Sequence, residues 1–283
     1  MIDEKISLED YHALPAMSAH NLMDVDEDPY IAVHDKENRE EKTPTVQKRL
    51  DLGTNIHTGI EVKTDENFFK SYHLEPEKRN DIILRSEKTG ILTKAGKLQL
   101  EELKKEVAPK KIITQEEWEV IAGCRDAAWS DTDAKPYLEA AKFELSGFAN
   151  IRGVDVKARP DLDNYESHRT LVDIKTRQKW GADVKKWTRD WWKYKTYIQA
   201  GLQMLVWEDL GMPCKEYYYL LVEIKPPYKV EWCYLSPELI QRAKDLTLEV
   251  IVKWQKYLDG SLGHGGPKEM TALPWMRSQD QTI

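Results

Sequence analysis

The chain has 283 residues, 41% of them hydrophobic and 32% charged, with a formal net charge of −7. The apolar share supports a substantial core, and no stretch approaches the roughly 20 apolar residues of a membrane span. The N-terminal MIDEKISLEDYH lacks a basic-then-apolar leader, so a cytoplasmic protein without membrane contact is expected.

Ser18 is placed to cap a short helix carrying Leu22 and Val25. Asp24 to Thr43 is highly charged with little apolar periodicity and reads as a mobile loop. Between Val46 and Val62, Leu52, Ile56 and Ile60 recur at i, i+4 and i+8, which is one helical stripe. Thr64 ahead of Phe68 and Phe69 marks another helix start. Thr114 with Glu117 forms a capping box before Trp118, Ile121 and Ala122. Near Lys142 the period changes. KFELSGFANI, GVDVKARPDLD and RTLVDIK are short β-rich runs separated by turn formers, the pattern of an antiparallel meander.

A long helix is expected over Tyr197 to Leu210, stopped at Gly211. EYYYLLVEIK and YKVEWCYL read as strands joined at Pro226-Pro227. Ser236-Pro237-Glu238 then opens a closing helix to Leu258, with Gly260 just beyond. Strands flanked by helices on both sides imply one α/β domain over 1–283 with a mixed central sheet. Its parts are an N-terminal helix and charged loop (1–45), a mainly helical region (46–140), the sheet core with the closing helix (141–260) and a tail (261–283). Cys124, Cys214 and Cys233 lie far apart without C-x-x-C. They read as reduced core thiols, against a disulfide framework, a zinc site or a four-cysteine iron–sulfur cluster.

The pattern D/E-x-K alone says almost nothing here, because it recurs at Asp3/Lys5, Glu61/Lys63, Asp155/Lys157, Glu223/Lys225 and elsewhere as expected surface pairs. Asp173-Ile174-Lys175 differs in context. It ends the apolar run LVDIK, and a strand's period of two puts Asp173 and Lys175 on one face while Val172 and Ile174 bury the other. One hairpin earlier lies Arg159-Pro160-Asp161. In VDVKARPD, Val154, Val156 and Ala158 share one face and Asp155, Lys157, Arg159 and Asp161 the other. The proline marks a place where pairing stops and a carboxylate can leave the sheet. Pairing through DNYESHR would bring Asp161 and Asp173 to one end of it.

Two such carboxylates suit phosphodiester hydrolysis. Mg²⁺ takes one or two carboxylates and a substrate phosphate oxygen, and activates water at neutral pH. A lysine one strand-step away can orient that water and offset charge developing on the phosphate. The backbone carbonyl of Ile174 could complete the metal shell. Glu144, alternating with Phe143 and Leu145, could point inward from the first strand or be a plain edge acid. On spacing alone, a surface hairpin with scattered charges remains the competing interpretation.

These residues make up a PD-(D/E)-x-K pattern, and the chain resembles the RecE-type exonucleases (the exonuclease VIII family) of phages and prophages. The matching stretches are LGTNIH at Leu52 to His57, KARPDLD at Lys157 to Asp163, LVDIKT at Leu171 to Thr176 and YIQAGLQ at Tyr197 to Gln203, with weaker echoes in SAHNLM, TKAGK and VEIKPPYKV. The resemblance implies a PD-(D/E)XK restriction-endonuclease-like core, a mixed central sheet flanked by helices, with a helical N-terminal part. It also implies a Mg²⁺-dependent enzyme, with Mn²⁺ able to substitute, digesting one strand of double-stranded DNA from its end, 5′ to 3′. The family works as a homo-oligomeric ring in the bacterial cell, beside a single-strand annealing protein of the RecT type.

By matched motif, Asp161 and Asp173 become metal ligands and Lys175 the catalytic lysine. His57, in the G-x-x-x-H position, becomes a metal ligand or orienter, and Gln199 contacts the active site or DNA. Gln203 stands where the family often has tyrosine. By spacing alone His57 and Gln199 would be ordinary polar helix residues. The competing functions are a structure-specific or restriction-like endonuclease, and a catalytically inactive DNA-binding or assembly protein.

The segment from Arg177 to Lys195 follows the catalytic strand directly. Its cations Lys179, Lys185, Lys186 and Arg189 are interleaved with Trp180 and Trp192, a mixture suited to phosphates and bases. Trp187 and Trp191, four apart, read equally well as one buried helical face.

Overall fold

The computed structural model describes residues 1–3, 6–37, 42–75, 92–178 and 184–262; Lys179, Trp180 and most of the expected tail lie outside them. The first half runs β1 (Ile2–Asp3), α1 (Leu8–Ala13), α2 (Ala19–Glu27), α3 (Pro29–Glu37), α4 (Pro44–Val62), α5 (Asp65–Ser71), β2 (Tyr72–Leu74), α6 (Lys94–Val107), β3 (Lys111–Ile113), α7 (Gln115–Ser130) and α8 (Lys135–Ala140). The second half runs β4 (Lys142–Phe143), β5 (Ser146–Ile151), β6 (Val154–Ala158), β7 (Leu162–Asn164), α9 (Tyr165–His168), β8 (Thr170–Arg177), α10 (Val184–Lys193), α11 (Thr196–Asp209), β9 (Glu216–Glu223), β10 (Val230–Tyr234) and α12 (Pro237–Leu258).

The helix starts follow from local chemistry. Ser18 accepts from the Asn21 N–H while the Asn21 side chain accepts from the Ser18 N–H, and Thr114 with Glu117 does the same for α7. Ser236 caps α12 on the Leu239 N–H, with Pro237 in the first turn where its missing donor costs nothing. The closing glycines adopt the left-handed backbone such stops require, at φ 77° for Gly211 and 73° for Gly260.

A five-stranded sheet has the order β10-β9-β8-β7-β4. Its β8–β9 pair is parallel and the remaining neighbours antiparallel, so the sheet is mixed, with α10 and α11 making the crossover. A second sheet, β1-β5-β6, is antiparallel. One face of the five-stranded sheet (Val172, Ile174, Leu220 and Val222) packs on Ile56 and Ile60 of α4 and Ile121 of α7. The other (Leu171, Tyr217, Tyr219 and Leu221) packs on α10 and α11. Between that face and α12, α11 is buried on nearly every side, which is why its sequence is almost continuously apolar.

Two expectations need correction. The charged stretch read as a loop from Asp24 is helical through Glu37, because tertiary contacts supply what its periodicity lacks. Tyr30 sits edge-on against Tyr257 at 4.8 Å, and Ala32 packs on the core. The meander, too, is split. β6 pairs with β5 in one sheet and β7 with β8 in the other, and the division falls at Arg159-Pro160, where the proline was expected to end pairing. Lys157, placed on the polar face, is buried there. Its ammonium donates to the carbonyls of Tyr11 (2.6 Å), His12 (3.3 Å) and Leu14 (2.7 Å), tying the end of α1 to β6.

Candidate active site

The break between the two sheets makes the site. β7 stops pairing with β8 at Leu162 opposite Val172. One residue earlier Asp161 takes over the next position with its side chain, Oδ2 accepting from the Ile174 N–H at 2.5 Å. In a strand the N–H and C=O of one residue point to the same edge, so the Ile174 carbonyl faces the gap that β7 leaves open. Asp173 is fully buried on the α11 side of β8, and Lys175, two residues on, reaches the same place.

Gln199 of α11 clamps both. Its Nε2 donates to Asp173 Oδ1 at 2.6 Å, and its Oε1 accepts from Lys175 Nζ at 3.0 Å. Only this orientation of the amide satisfies both partners. Asp173 Oδ2 lies 2.5 Å from Lys175 Nζ as an ion pair, but out of hydrogen-bonding alignment, and finds no hydrogen-bond partner among the described residues.

From the opposite side α4 presents His57, whose Nδ1 is 3.5 Å from Asp161 Oδ1. Glu144, between β4 and β5, completes a cluster: one donor atom each from His57, Glu144 and Asp161 lie within 4.8 Å of one another. Glu144 adopts a left-handed backbone at φ 53°, unusual for a non-glycine, and its N–H donates to the Asp161 carbonyl at 3.2 Å. The inward of its two expected orientations is therefore the observed one.

The charged groups of the site shift one another. Burial, reinforced by Asp161, pushes the Glu144 carboxyl up to about 7. Burial likewise raises Asp173, to about 6, against the opposing pull of Lys175 and with a further push from Asp161. Burial alone would lower the His57 imidazole, yet the charge and hydrogen bond of Asp161 leave it raised. Asp161 is the counterpart: burial raises it, but His57, Lys175 and the Ile174 N–H bring it below the usual range. Two carboxylates, Glu144 and Asp161, meet His57 at one gap, and Asp173, with a buried oxygen lacking a hydrogen bond, stands behind Asp161 on β8; this donor set fits a divalent cation.

Arg159, Gln203 and Glu61, to which the sequence assigned no role in the site, belong to its surroundings. Arg159 donates to Ser146 Oγ (2.7 Å) and the Ile6 carbonyl (3.0 Å), stacks on Tyr11 and stands 3.9 Å from Glu144. Gln203, in place of the family tyrosine, donates to the Arg159 carbonyl at 3.3 Å and accepts from Tyr217 Oη at 2.6 Å, bracing the Arg159-Pro160 break. Glu61, read as part of a surface pair, lies one turn after His57, and burial together with Asp161 raises its carboxyl despite Arg159. Its i+4 spacing from His57 was the available signal.

Lys185, Lys186 and Arg189 are exposed on α10, and Trp192 is 51% exposed, whereas Trp187 and Trp191 are buried. The buried helical face expected of Trp187 and Trp191 is thus present, and Trp192 lies with the three cations on the exposed side of the same helix. Arg177 anchors α10 through an ion pair with Asp190. The three cysteines are free thiols. No described helix is long and apolar enough to cross a membrane.

No protein-family model and no curated protein matches the chain. Among solved structures it is similar to a candidate exonuclease from Eubacterium rectale, with a TM-score of 0.57 and 13% identity over 98% of this chain and 99% of that one. A phage-related exonuclease from Haemophilus somnus 129PT matches with a TM-score of 0.31 at 13% identity, over 74% of this chain and 95% of that one, too low to speak for a shared fold. The mixed sheet, the helices on both its faces and the first of these likenesses define the core as a PD-(D/E)XK-type fold. At such identity the likeness reaches the fold and stops there.

Proposed function

We propose that the chain is a Mg²⁺-dependent deoxyribonuclease that removes one strand of linear duplex DNA from its end, 5′ to 3′. The observation that carries this reading is the meeting of Asp161, Asp173 and Lys175, from either side of the sheet break, with a His57–Glu144–Asp161 donor cluster. A bare DNA-binding role would give no reason to bury Asp173 beside Lys175 and lock both onto Gln199.

In this reading Asp161, Asp173, His57, Glu144 and the Ile174 carbonyl hold the metal. When bound, a divalent cation polarises the scissile phosphate and makes water nucleophilic at neutral pH. Lys175 orients the attacking water and offsets the negative charge that grows on the phosphoryl oxygens. Gln199 fixes the lysine and the aspartate relative to each other, so neither has to be ordered as the reaction proceeds. The motif resemblance further supports a ring of copies as the working form, passing single-stranded product to an annealing partner of the RecT type. Mn²⁺ should substitute for Mg²⁺.

The test is degradation of end-labelled linear duplex against covalently closed circles, with and without Mg²⁺. Loss of the linear substrate alone, in Mg²⁺ alone, is expected. Nicked or linearised circles would instead support an endonuclease.

His57 is predicted to matter more for activity than for stability. His57→Ala should lower the nuclease rate by about 10²-fold, as expected for one oriented group at a transition state. Excess Mn²⁺, which binds nitrogen and oxygen ligands more tightly than Mg²⁺, should restore part of it. Wild-type rates in the variant would return His57 to an ordinary helix position.

A further inference from the structure

The outer face of α10 carries a groove of about 480 Å³ between α10 and the start of α12, sharing no residue with the His57–Glu144–Asp161 cluster. Its floor is apolar, formed by Trp191, Trp192 and Leu239, and its rim is cationic, formed by Lys185, Arg189 and Lys193. The rim residues recur at i, i+4 and i+8, so they line up along the helix rather than scatter around it. Trp192 is backed by Tyr197, ring centroids 5.0 Å apart at 31°, and is half-exposed on its other side. Tyr197 precedes Gln199 by two residues on α11, so platform and site share one rigid support. Trp191 ties the groove to the sheet, its Nε1 donating to Tyr219 Oη at 2.8 Å, and Tyr219 is the strand neighbour of Asp173.

We propose that this groove holds single-stranded DNA, the strand that the proposed nuclease leaves behind; the inference rests on that reading for the strand's origin, but not for its binding. A row of cations beside a half-exposed indole matches a polymer that alternates phosphates with flat apolar bases. A duplex matches poorly, because its base faces are stacked on one another and only its phosphates could be reached. An acidic protein would satisfy the rim and leave the half-exposed indole unexplained. Lys186 is exposed on α10 but does not line the groove, and takes no part in it.

The test uses a fluorescein-labelled dT oligonucleotide and a duplex of equal length, with the full-length protein in a metal chelator so that nothing is cut. Trp192→Ala should weaken dT binding about tenfold, the loss of one stacked base, and duplex binding less than twofold. Lys185→Ala with Arg189→Ala should flatten the salt dependence of dT binding by about 1.4 logarithmic units of slope for two phosphate contacts. Circular dichroism should show all variants folded, since the altered side chains are exposed. Unchanged dT affinity and slope would overturn the proposal. So would a changed sedimentation coefficient of DNA-free Trp192→Ala without loss of dT binding, which would make the groove a contact between copies. Cutting of linear duplex in Mg²⁺ by the same preparations separates the two ideas. Cutting without dT weakening sinks the groove alone; dT weakening without cutting sinks the nuclease reading alone.

Discussion

Lys175→Ala is expected to lower turnover about a thousandfold while binding Mn²⁺ at least as tightly as the unaltered protein, whereas Asp173→Ala is expected to lose both. The two side chains touch, at 2.5 Å, and both are held by Gln199, so a merely structural role would predict similar consequences for either change. Their chemistry predicts a split. The Asp173 carboxylate is a hard oxygen donor with one oxygen free of hydrogen bonds, and in the proposed function its removal takes a ligand from the cation. The Lys175 ammonium cannot be a ligand. Removing it deletes a positive charge beside the cation and releases Asp173 from its ion pair, both of which favour metal binding. What is lost is the group that orients water and meets charge on the phosphate, hence the rate. Mn²⁺ titration by calorimetry, paired with single-turnover cutting, checks both halves. Equal metal affinity in the two variants would remove Asp173 from the ligand set.

Much of this site is legible in the sequence because strands and helix caps obey short-range rules. A period of two placed Asp173 with Lys175 and against Val172 and Ile174, and the core divides those residues in that way. Pro160 marked where pairing ends, and Asp161 indeed leaves the ladder there to take the Ile174 N–H. Capping residues located α2, α7 and α12 from local donors and acceptors alone.

What could not be read depends on distant contacts. Nothing near Lys157 announces that the carbonyls at the end of α1 will enclose it, nearly 150 positions away. Gln203 looked like a missing tyrosine, and only the fold supplies its two partners, the Arg159 carbonyl and Tyr217 Oη. The helix from Pro29 escaped for the same reason: its order comes from α12, through Tyr257. Glu144 could be offered only as one of two orientations, because a left-handed turn, not strand alternation, aims it at His57 and Asp161.

Gly201→Ala should destabilise the protein by about 3 kcal/mol, although helix propensity alone favours alanine over glycine by about 1 kcal/mol at an interior position. Gly201 lies where α11 crosses α12. A Cβ there would stand 2.3 Å from the Ala243 carbonyl oxygen and 2.3 Å from Thr247 Oγ1. The hydroxyl could rotate, at the expense of its bond to the Ala243 carbonyl at 2.8 Å. The carbonyl cannot, because it is helix backbone, so the two helices must separate and open the core that Ala243 and Val250 share with Leu202. Activity should fall with stability, because Gln199 rides on α11 two residues earlier and its clamp has no slack at 2.6 and 3.0 Å. A displacement of about 1 Å at such a group costs on the order of 10²-fold in rate. Urea unfolding gives the first quantity and single-turnover cutting well below the midpoint gives the second. An alanine variant as stable as the unaltered protein would mean that the α11–α12 contact is looser than 2.3 Å implies. A destabilised variant with full activity would mean that Gln199 is positioned by Asp173 and Lys175, not by the helix that carries it.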